Sequence, residues 1–492
     1  MENSNSEFGK IRSIIWPIHN HELKKFIPMS FLMFVNLFVY TITCNLKDIF
    51  VFNYATLGGI ELVAPLKGIL VLPTTVVIAM LFSLLVGKFG IHKTFYIVIS
   101  FFTLFFLLFA FILFPNTSKI HWDANTMLNF RNSLPRFLYY VIPCIGNWSY
   151  SLFFILAETW GVLAIHSLFW NFSNRITKKT EMNRFYALYH LIGCLGRLLA
   201  GKLTEKISKV KGNLSEFNKN VIILITVTSL ACVISMIIYY YLNKVFSVSD
   251  EETTKKILEK RKSKVRFLDG IKILFSSKYL LLIFILPVSY GVGMNLYEGI
   301  FKGYMRNMAH TPIEMSKMIG QLSQMTAIFT FVLTFVGTFI LRRFSWKFAS
   351  LVTPTVLFSL GTVFFILIFY QSANNSQNFG ISISSLALVL GMIIDSLTKG
   401  TKYCLFDPTK GMAYRTLDEE TQSQGQGAVE IVGGRGGKGL GAIITMTFTS
   451  VLFPGSKVLD HIYSFFILFT ATLILWIFAC NKLGNLYEEK NN

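Results

Sequence analysis

Long apolar runs separated by short polar segments dominate this chain. About twelve of them approach the ~20 residues that a membrane-crossing helix requires. In the first half they fall at 28–44, 68–86, 94–114, 149–170, 185–203 and 221–242. In the second half they fall at 279–296, 318–341, 348–370, 383–397, 428–453 and 461–480. The tenth run is short and ends near Asp395. A further apolar stretch at 138–148 reads either as a span of its own or as a re-entrant piece.

Polar segments between the runs set the expected orientation. With both termini on the inner side, about 29 Lys and Arg lie inside against about 14 outside, the bias of cytoplasmic loops. The largest cationic group is the segment 243–278, with Lys255, Lys256, Lys260, Arg261, Lys262, Lys264 and Arg266. The segment 201–219, with its five lysines, runs against the bias. Both termini are therefore expected in the cytoplasm, with 1–27 as an N-terminal segment and 481–492 as a tail. The polar start, with Glu2, Glu7 and Glu22, resembles neither a cleavable signal nor a transit peptide.

The layout implies two halves. Six spans (28–242), a basic cytoplasmic linker (243–278) and six more spans (279–480) predict an all-α membrane protein of the major-facilitator type. The linker also reads as a plain connector that only fixes topology. A faint repeat supports the division: Asn45-Leu46-Lys47-Asp48 closes the first span and Asn295-Leu296-Tyr297-Glu298 closes the seventh.

Composition agrees with lipid as the main solvent. The chain of 492 residues is 53% hydrophobic and 15% charged, against about a quarter charged in soluble domains. Its mean hydropathy is +0.54. A net charge of +20 could suit nucleic acid, but the cations sit between apolar runs, so no nucleic-acid partner is expected. Six scattered cysteines without a C-x-x-C pair, and histidines without metal-ligand spacing, predict neither disulfides nor a metal or other cofactor.

Charges inside or at the edges of spans are costly in lipid and face polar cavities. Lys47 and Asp48 end the first span, where Lys47 also reads as a snorkelling residue. Glu158 lies mid-span and its short side chain cannot snorkel, although a bundle-holding salt bridge would also explain it. Glu298 follows a span interrupted by Pro287, Gly291 and Gly293, and Lys302 four residues on is placed to pair with it. Asp395, Lys399 and Lys402 form one helical stripe, or else a helix end emerging into a loop. Arg435 and Lys438 sit in a run of glycines, Gly433 to Gly441, that reads as an anion cradle or as close helix packing. Arg197 among Gly193, Gly196 and Gly201 is a weaker counterpart. This cation-rich but acid-containing inventory suits a polyanion that is bound and then released: phosphates displace the carboxylates from their lysines.

Several stretches then carry a resemblance. Arg12-Ser13-Ile14-Ile15-Trp16-Pro17-Ile18 precedes the first span and Asn45-Leu46-Lys47-Asp48 ends it. Ala157-Glu158-Thr159-Trp160-Gly161, Leu168-Phe169-Trp170, Ser173-Asn174-Arg175-Ile176-Thr177 and Arg184-Phe185-Tyr186 follow. Asn295-Leu296-Tyr297-Glu298, Lys402-Tyr403-Cys404-Leu405-Phe406-Asp407 and Lys410-Gly411-Met412-Ala413-Tyr414 come later. In this order, from about Arg12 to Lys438, they resemble the ATP:ADP antiporter family of plastids and obligate intracellular bacteria.

The resemblance implies twelve helices and exchange of a nucleoside triphosphate for a diphosphate across an inner membrane of an intracellular bacterium, with no obligatory protein partner. The family's charged positions fall on Lys47, Glu158, Glu298 and Lys402. Asp395 stands where the family usually has Asn, Gln424 where it has Lys, and Tyr297 where it has a small apolar residue. Gly437-Lys438-Gly439-Leu440 replaces Gly-Lys-Ser-Gly. GTP, CTP and UTP therefore stay open beside ATP, and a proton-coupled facilitator of another nutrient is the alternative class. A membrane-embedded enzyme is not expected, because no catalytic cluster is visible.

Overall fold

The structure, a computed structural model, describes residues 16–210, 213–246, 274, 277–373, 380–417 and 429–491. Most of the predicted basic linker, the first fifteen residues and Gln424 lie outside the described residues. Among the described residues every regular element is helical. The chain supplies its own backbone hydrogen bonds that way, the condition for crossing lipid.

Among the described residues, eleven helices of eleven or more residues build the fold: α1 (Leu23–Ile49), α2 (Leu72–Leu108), α3 (Trp148–Trp160), α4 (Lys179–Lys206), α5 (Leu214–Phe246), α6 (Lys278–Met308), α7 (Pro312–Arg343), α8 (Trp346–Ala373), α9 (Gly380–Thr401), α10 (Gly436–Met446) and α11 (Ile462–Asn491). Among the described residues, nine helical segments are long and apolar enough to cross a membrane. One of them, Ile60–Leu113, contains both the second and the third predicted runs. It is divided at Gly90, whose φ of 76° and ψ of 166° leave the helical region, a conformation open to a residue without Cβ. The chain is a multi-pass membrane protein.

Helices α1 to α5 pack on one another, as do α6 to α11, and the two sets meet mainly where α4 lies along α7. There Gly201 and Gly320 allow close approach: a Cβ on Gly320 would stand 2.6 Å from the Glu205 backbone nitrogen. Glu205 accepts hydrogen bonds from Gln321 at 3.2 Å and Gln324 at 2.6 Å across this seam. Lipid-facing positions stay apolar, as at Leu104, Phe339 and Ile467, while Trp160, Tyr297 and Trp476 are fully buried.

The segment at 138–148 does not span. It holds a helix of six residues, Val141–Gly146, only about 9 Å long at 1.5 Å per residue. Asn147 ends it and fastens it to the end of α1, its Oδ1 accepting from Thr56 N and its Nδ2 donating to Thr56 O, both at 2.9 Å. With the helices Thr117–Ile120 and Ala124–Ser133 it forms a cap between α2 and α3. Within the cap His121 shares a 2.7 Å hydrogen bond with Ser149. Burial pushes its imidazole down to about 4. A histidine free in the unfolded chain titrates near 6.5. The contribution is therefore complete above about pH 6.5 and is lost as pH falls towards about 4. Hydrogen-exchange protection factors across 115–147, corrected for the intrinsic pH dependence of amide exchange, should fall between pH 7 and pH 5 in the wild type. In His121→Gln this part of the pH dependence should vanish; an unchanged profile would contradict the assignment.

Candidate functional site

Where the two helix sets meet, charged side chains from both form a connected network. Lys47 at the end of α1 reaches Asp48 at 2.9 Å and Glu158 of α3 at 3.0 Å. Its ammonium also stands 4.0 Å from the Phe154 ring centre. Lys302 of α6 crosses between the sets to Asp48 Oδ2 at 2.8 Å. Glu298, one turn earlier, is held by Lys399 of α9 at 2.9 Å and by Lys67, which precedes α2, at 3.8 Å. Lys399 also contacts Asp395 Oδ2 at 2.9 Å. Asp48 and Glu298, the acids matched by the sequence repeat, are thus each bound by a lysine of the opposite set.

Two expectations change here. The i,i+4 neighbours Glu298 and Lys302 do not pair, because Asp48 and Lys399 offer each a closer partner from another helix. The stripe from Asp395 to Lys402 is divided: Asp395 pairs with Lys399, whereas Lys402 turns to Asp407 at 2.6 Å. A π-helical turn, Lys402–Phe406, follows α9, and its wider i→i+5 winding brings Asp407 into reach of Lys402.

Similar turns recur beside the charges. They follow Lys47 and Asp48 (Phe50–Tyr54), contain Lys67 (Leu66–Val71), follow Glu158 (Gly161–Phe169) and contain Arg435 (Val429–Arg435). Such wide turns redirect side chains, and they are frequent at functional sites.

The glycine-rich run serves packing and chemistry at once. On one side it touches α6: a Cβ on Gly291 would stand 2.6 Å from both Gly437 C and Lys438 N. On the other side Arg435 and Lys438 are exposed, not buried as the sequence suggested. Both lie within electrostatic range of His166 beyond α3, and Lys438 of Glu158 as well. They therefore face the opposite helix set. Arg197 of α4 stands 5.8 Å from the ring centre of Tyr403, and Lys402 stands 4.7 Å from it. Arg197, Arg435 and Lys438 have no carboxylate partner among the described residues.

Sequence reading missed Lys67, Asp407, Lys410 and Glu430. Lys410 bridges Glu430 at 2.8 Å and Asp407 at 3.9 Å. Lys67 borders an apolar run, and Asp407 and Lys410 lie within the Lys402–Lys410 stretch, so proximity to a span was the available signal. The residual cavity between Asp48, Lys67, Glu298 and Lys302 measures about 30 Å³. That is room for a water or two, so the sets are closed against each other at this end.

Gly291→Ala tests the α6–α10 contact. The added methyl meets backbone that cannot yield locally, so stability should fall by about 1–3 kcal/mol, read as a lower Tm in detergent. Gly434→Ala, with nothing within 4 Å of its Cβ, should leave Tm in place; equal effects would disprove the packing role.

The two helix sets have the major-facilitator-type fold. Solved structures agree on the fold: a proton:xylose symporter of the major facilitator superfamily aligns with TM-score 0.52 at 12% identity, covering 95% of each chain. A bacterial ferroportin homologue in an inward-facing state aligns with TM-score 0.57 at 12% identity, covering 95% of this chain and 100% of the other. More specifically, residues 1–487 match the TLC ATP/ADP transporter family, and the chain belongs to it. It is 35% identical to ADP,ATP carrier protein 1 of Rickettsia typhi, with 99% of this chain and 98% of that protein aligned. ADP,ATP carrier protein 4 of Rickettsia conorii is 32% identical, with 99% and 96% aligned.

Proposed function

We propose that the chain is a nucleotide antiporter exchanging a nucleoside triphosphate for a nucleoside diphosphate, ATP for ADP or a related pair, by alternating access. Family membership supports this reading. The observation that carries it for these residues is the set of Arg197, Arg435 and Lys438 between the helix sets, cations without carboxylate partners among the described residues. Arginine clamps phosphate in bidentate fashion and lysine supplies a mobile point charge. Lys402 and Lys410 lie nearby on carboxylates that phosphate oxygens can displace.

The mechanism follows from the ion pairs. Asp48–Lys302 and Glu298–Lys67 tie the two sets together at the closed end. A nucleotide that draws Lys67 from Glu298 weakens this tie, one that draws Lys47 from Asp48 unbalances it, and the opposite opening is then favoured, as differential binding requires. When phosphate leaves, the carboxylates recapture their lysines, so the site does not trap its anion. The loop charges support a cytoplasmic position for both termini and the inner membrane of an intracellular bacterium as the location. The halves 28–242 and 279–480, joined by 243–278, are the proposed moving bodies.

The test is uptake of labelled ATP, GTP, CTP and UTP into proteoliposomes loaded with unlabelled nucleotide. Internal nucleotide should stimulate uptake of at least one. Transport that ignores internal nucleotide and follows only a proton gradient would replace this reading with a facilitator of another nutrient.

A further inference from the structure

The closed end carries a second tier of contacts, of a different kind from the ion pairs. Ile60, ahead of α2, and Val458, ahead of α11, line the small cavity together with Asp48 and Glu298. Around them three side chains cross between the helix sets, and each ends on a peptide group. Glu61 Oε1 accepts from Val458 N at 3.1 Å. Tyr140 of the cap donates its hydroxyl to Ser456 O at 2.8 Å. Arg306 donates Nε to Phe52 O at 2.8 Å, while its Nη1, donating to Ala309 O at 2.9 Å, holds the guanidinium to the end of α6. Arg306 lies one turn beyond Lys302 and Phe52 one turn beyond Asp48, so this tier sits outside the ion pairs.

The cap is shaped to meet the 453–458 turn. Arg131 Nε donates to Tyr139 O at 2.9 Å, and its guanidinium stands 4.3 Å from the Tyr139 ring centre and 5.5 Å from that of Tyr140. The two tyrosines are thereby presented together. Opposite them Gly455 has a φ of 86°, and a Cβ there would stand 2.7 Å from the Tyr139 hydroxyl. Left-handed backbone and close contact both call for glycine. The turn is also braced on its own side. His461 shares a 2.7 Å hydrogen bond with Ser456 Oγ, and Lys457 N donates to Asp460 at 2.8 Å.

We propose that Glu61, Tyr140 and Arg306 form a latch that holds this end closed independently of substrate, with the cap at 115–147 as its lid. They act as positioning residues that set the resting balance between the two openings. The proposal rests on the alternating-access reading. Phosphate exchanges into ion pairs between side chains, whereas these bonds end on main-chain groups fixed by the turn. The ion pairs supply the substrate-dependent part of the switch, and the latch supplies a constant bias. A contact made in only one of two states favours that state by its own free energy. For one neutral hydrogen bond that is a factor of about two to ten.

The experiment reads opening at both ends with single cysteines in the full chain, in proteoliposomes without nucleotide. The background is Cys44→Ala, because the other five native cysteines are buried. Val63→Cys lines the cavity at the closed end. Gly434→Cys, beside the exposed Arg435 and with nothing within 4 Å of its Cβ, reports the other side. Tyr140→Phe removes one hydroxyl. Val458→Pro removes the N–H that Glu61 accepts. Val458 opens its helical turn, where proline is accepted, and Lys457 before it has φ −81° and ψ 155°, which suit a residue preceding proline. Both variants should speed maleimide labelling at Val63→Cys about twofold to tenfold, without speeding it at Gly434→Cys. Glu61→Gln keeps a carbonyl acceptor and should match the wild type, whereas Glu61→Ala should act like Val458→Pro. Unchanged labelling at Val63→Cys in Tyr140→Phe and Val458→Pro overturns the proposal. So does labelling that rises equally at both cysteines, the mark of a loosened fold. Were Val458→Pro to fail to insert, Tyr140→Phe and Glu61→Ala decide the matter. Labelling needs no nucleotide, so an absence of counter-exchange would sink the antiporter reading without deciding the latch.

Discussion

Lys47→Ala should reduce nucleotide exchange by about two orders of magnitude or more, the largest loss expected at any single position. The Lys47 side chain is 5% exposed and stands between two acids, Asp48 at 2.9 Å and Glu158 at 3.0 Å. Removing it leaves Glu158 without its cation and Asp48 with Lys302 alone. Breaking a buried pair from one side costs about 3–5 kcal/mol, because the remaining charge stays in a poor solvent. Both folding and transport draw on that energy, so they have to be separated. The double variant Lys47→Met, Glu158→Gln removes the orphaned carboxylate and should regain much of the Tm lost in Lys47→Ala. Exchange should remain absent, since the switch has no cation to release. Wild-type uptake in the double variant would show that Lys47 is only a structural strut.

Glu298→Gln is the second. Glu298 is the joint between Lys67 of one helix set and Lys399 of the other, at 3.8 Å and 2.9 Å. Gln fills the same space without charge, so the effect is electrostatic. Truncating one partner of a buried, hydrogen-bonded charge pair costs about 2–5 kcal/mol. Lys399 keeps Asp395, but Lys67 keeps only a 3.4 Å contact with Asn295 Oδ1. Exchange should fall by at least about tenfold, with the closed end opening more readily. Labelling of a cysteine placed at Gly299, which lines the seam cavity, would report that opening as faster modification than in the wild-type background. Lys67→Ala should be milder, because its contact to Glu298 is longer. The reverse order would mean that Lys67, not Glu298, holds the joint.

Much of this was legible in the sequence for one physical reason. Lipid cannot hydrogen-bond a bare backbone or solvate a charge, so hydropathy alone locates helices and makes each intramembrane charge conspicuous. Lys47, Glu158, Glu298, Asp395, Lys399 and Lys402 were all visible in that way, and each stands in the ion-pair network. Pairing was not legible. Helical spacing assigned Lys302 to Glu298, whereas a carboxylate from another helix, 254 residues away in the chain, takes it. Lys67 went unnoticed because nothing local reveals that Glu298 of α6 lies against it.

By itself, then, the sequence determined that the chain is a multi-span helical membrane protein with two comparable halves and a charged path, because those features follow from local hydropathy and from charges that lipid will not accept. Only the tertiary structure decided which carboxylate each lysine holds, and that the glycine run packs on α6 while Arg435 and Lys438 stay exposed. Those outcomes depend on which helices approach one another and on where π-helical turns rotate the side chains, and neither is encoded in the periodicity of a single segment.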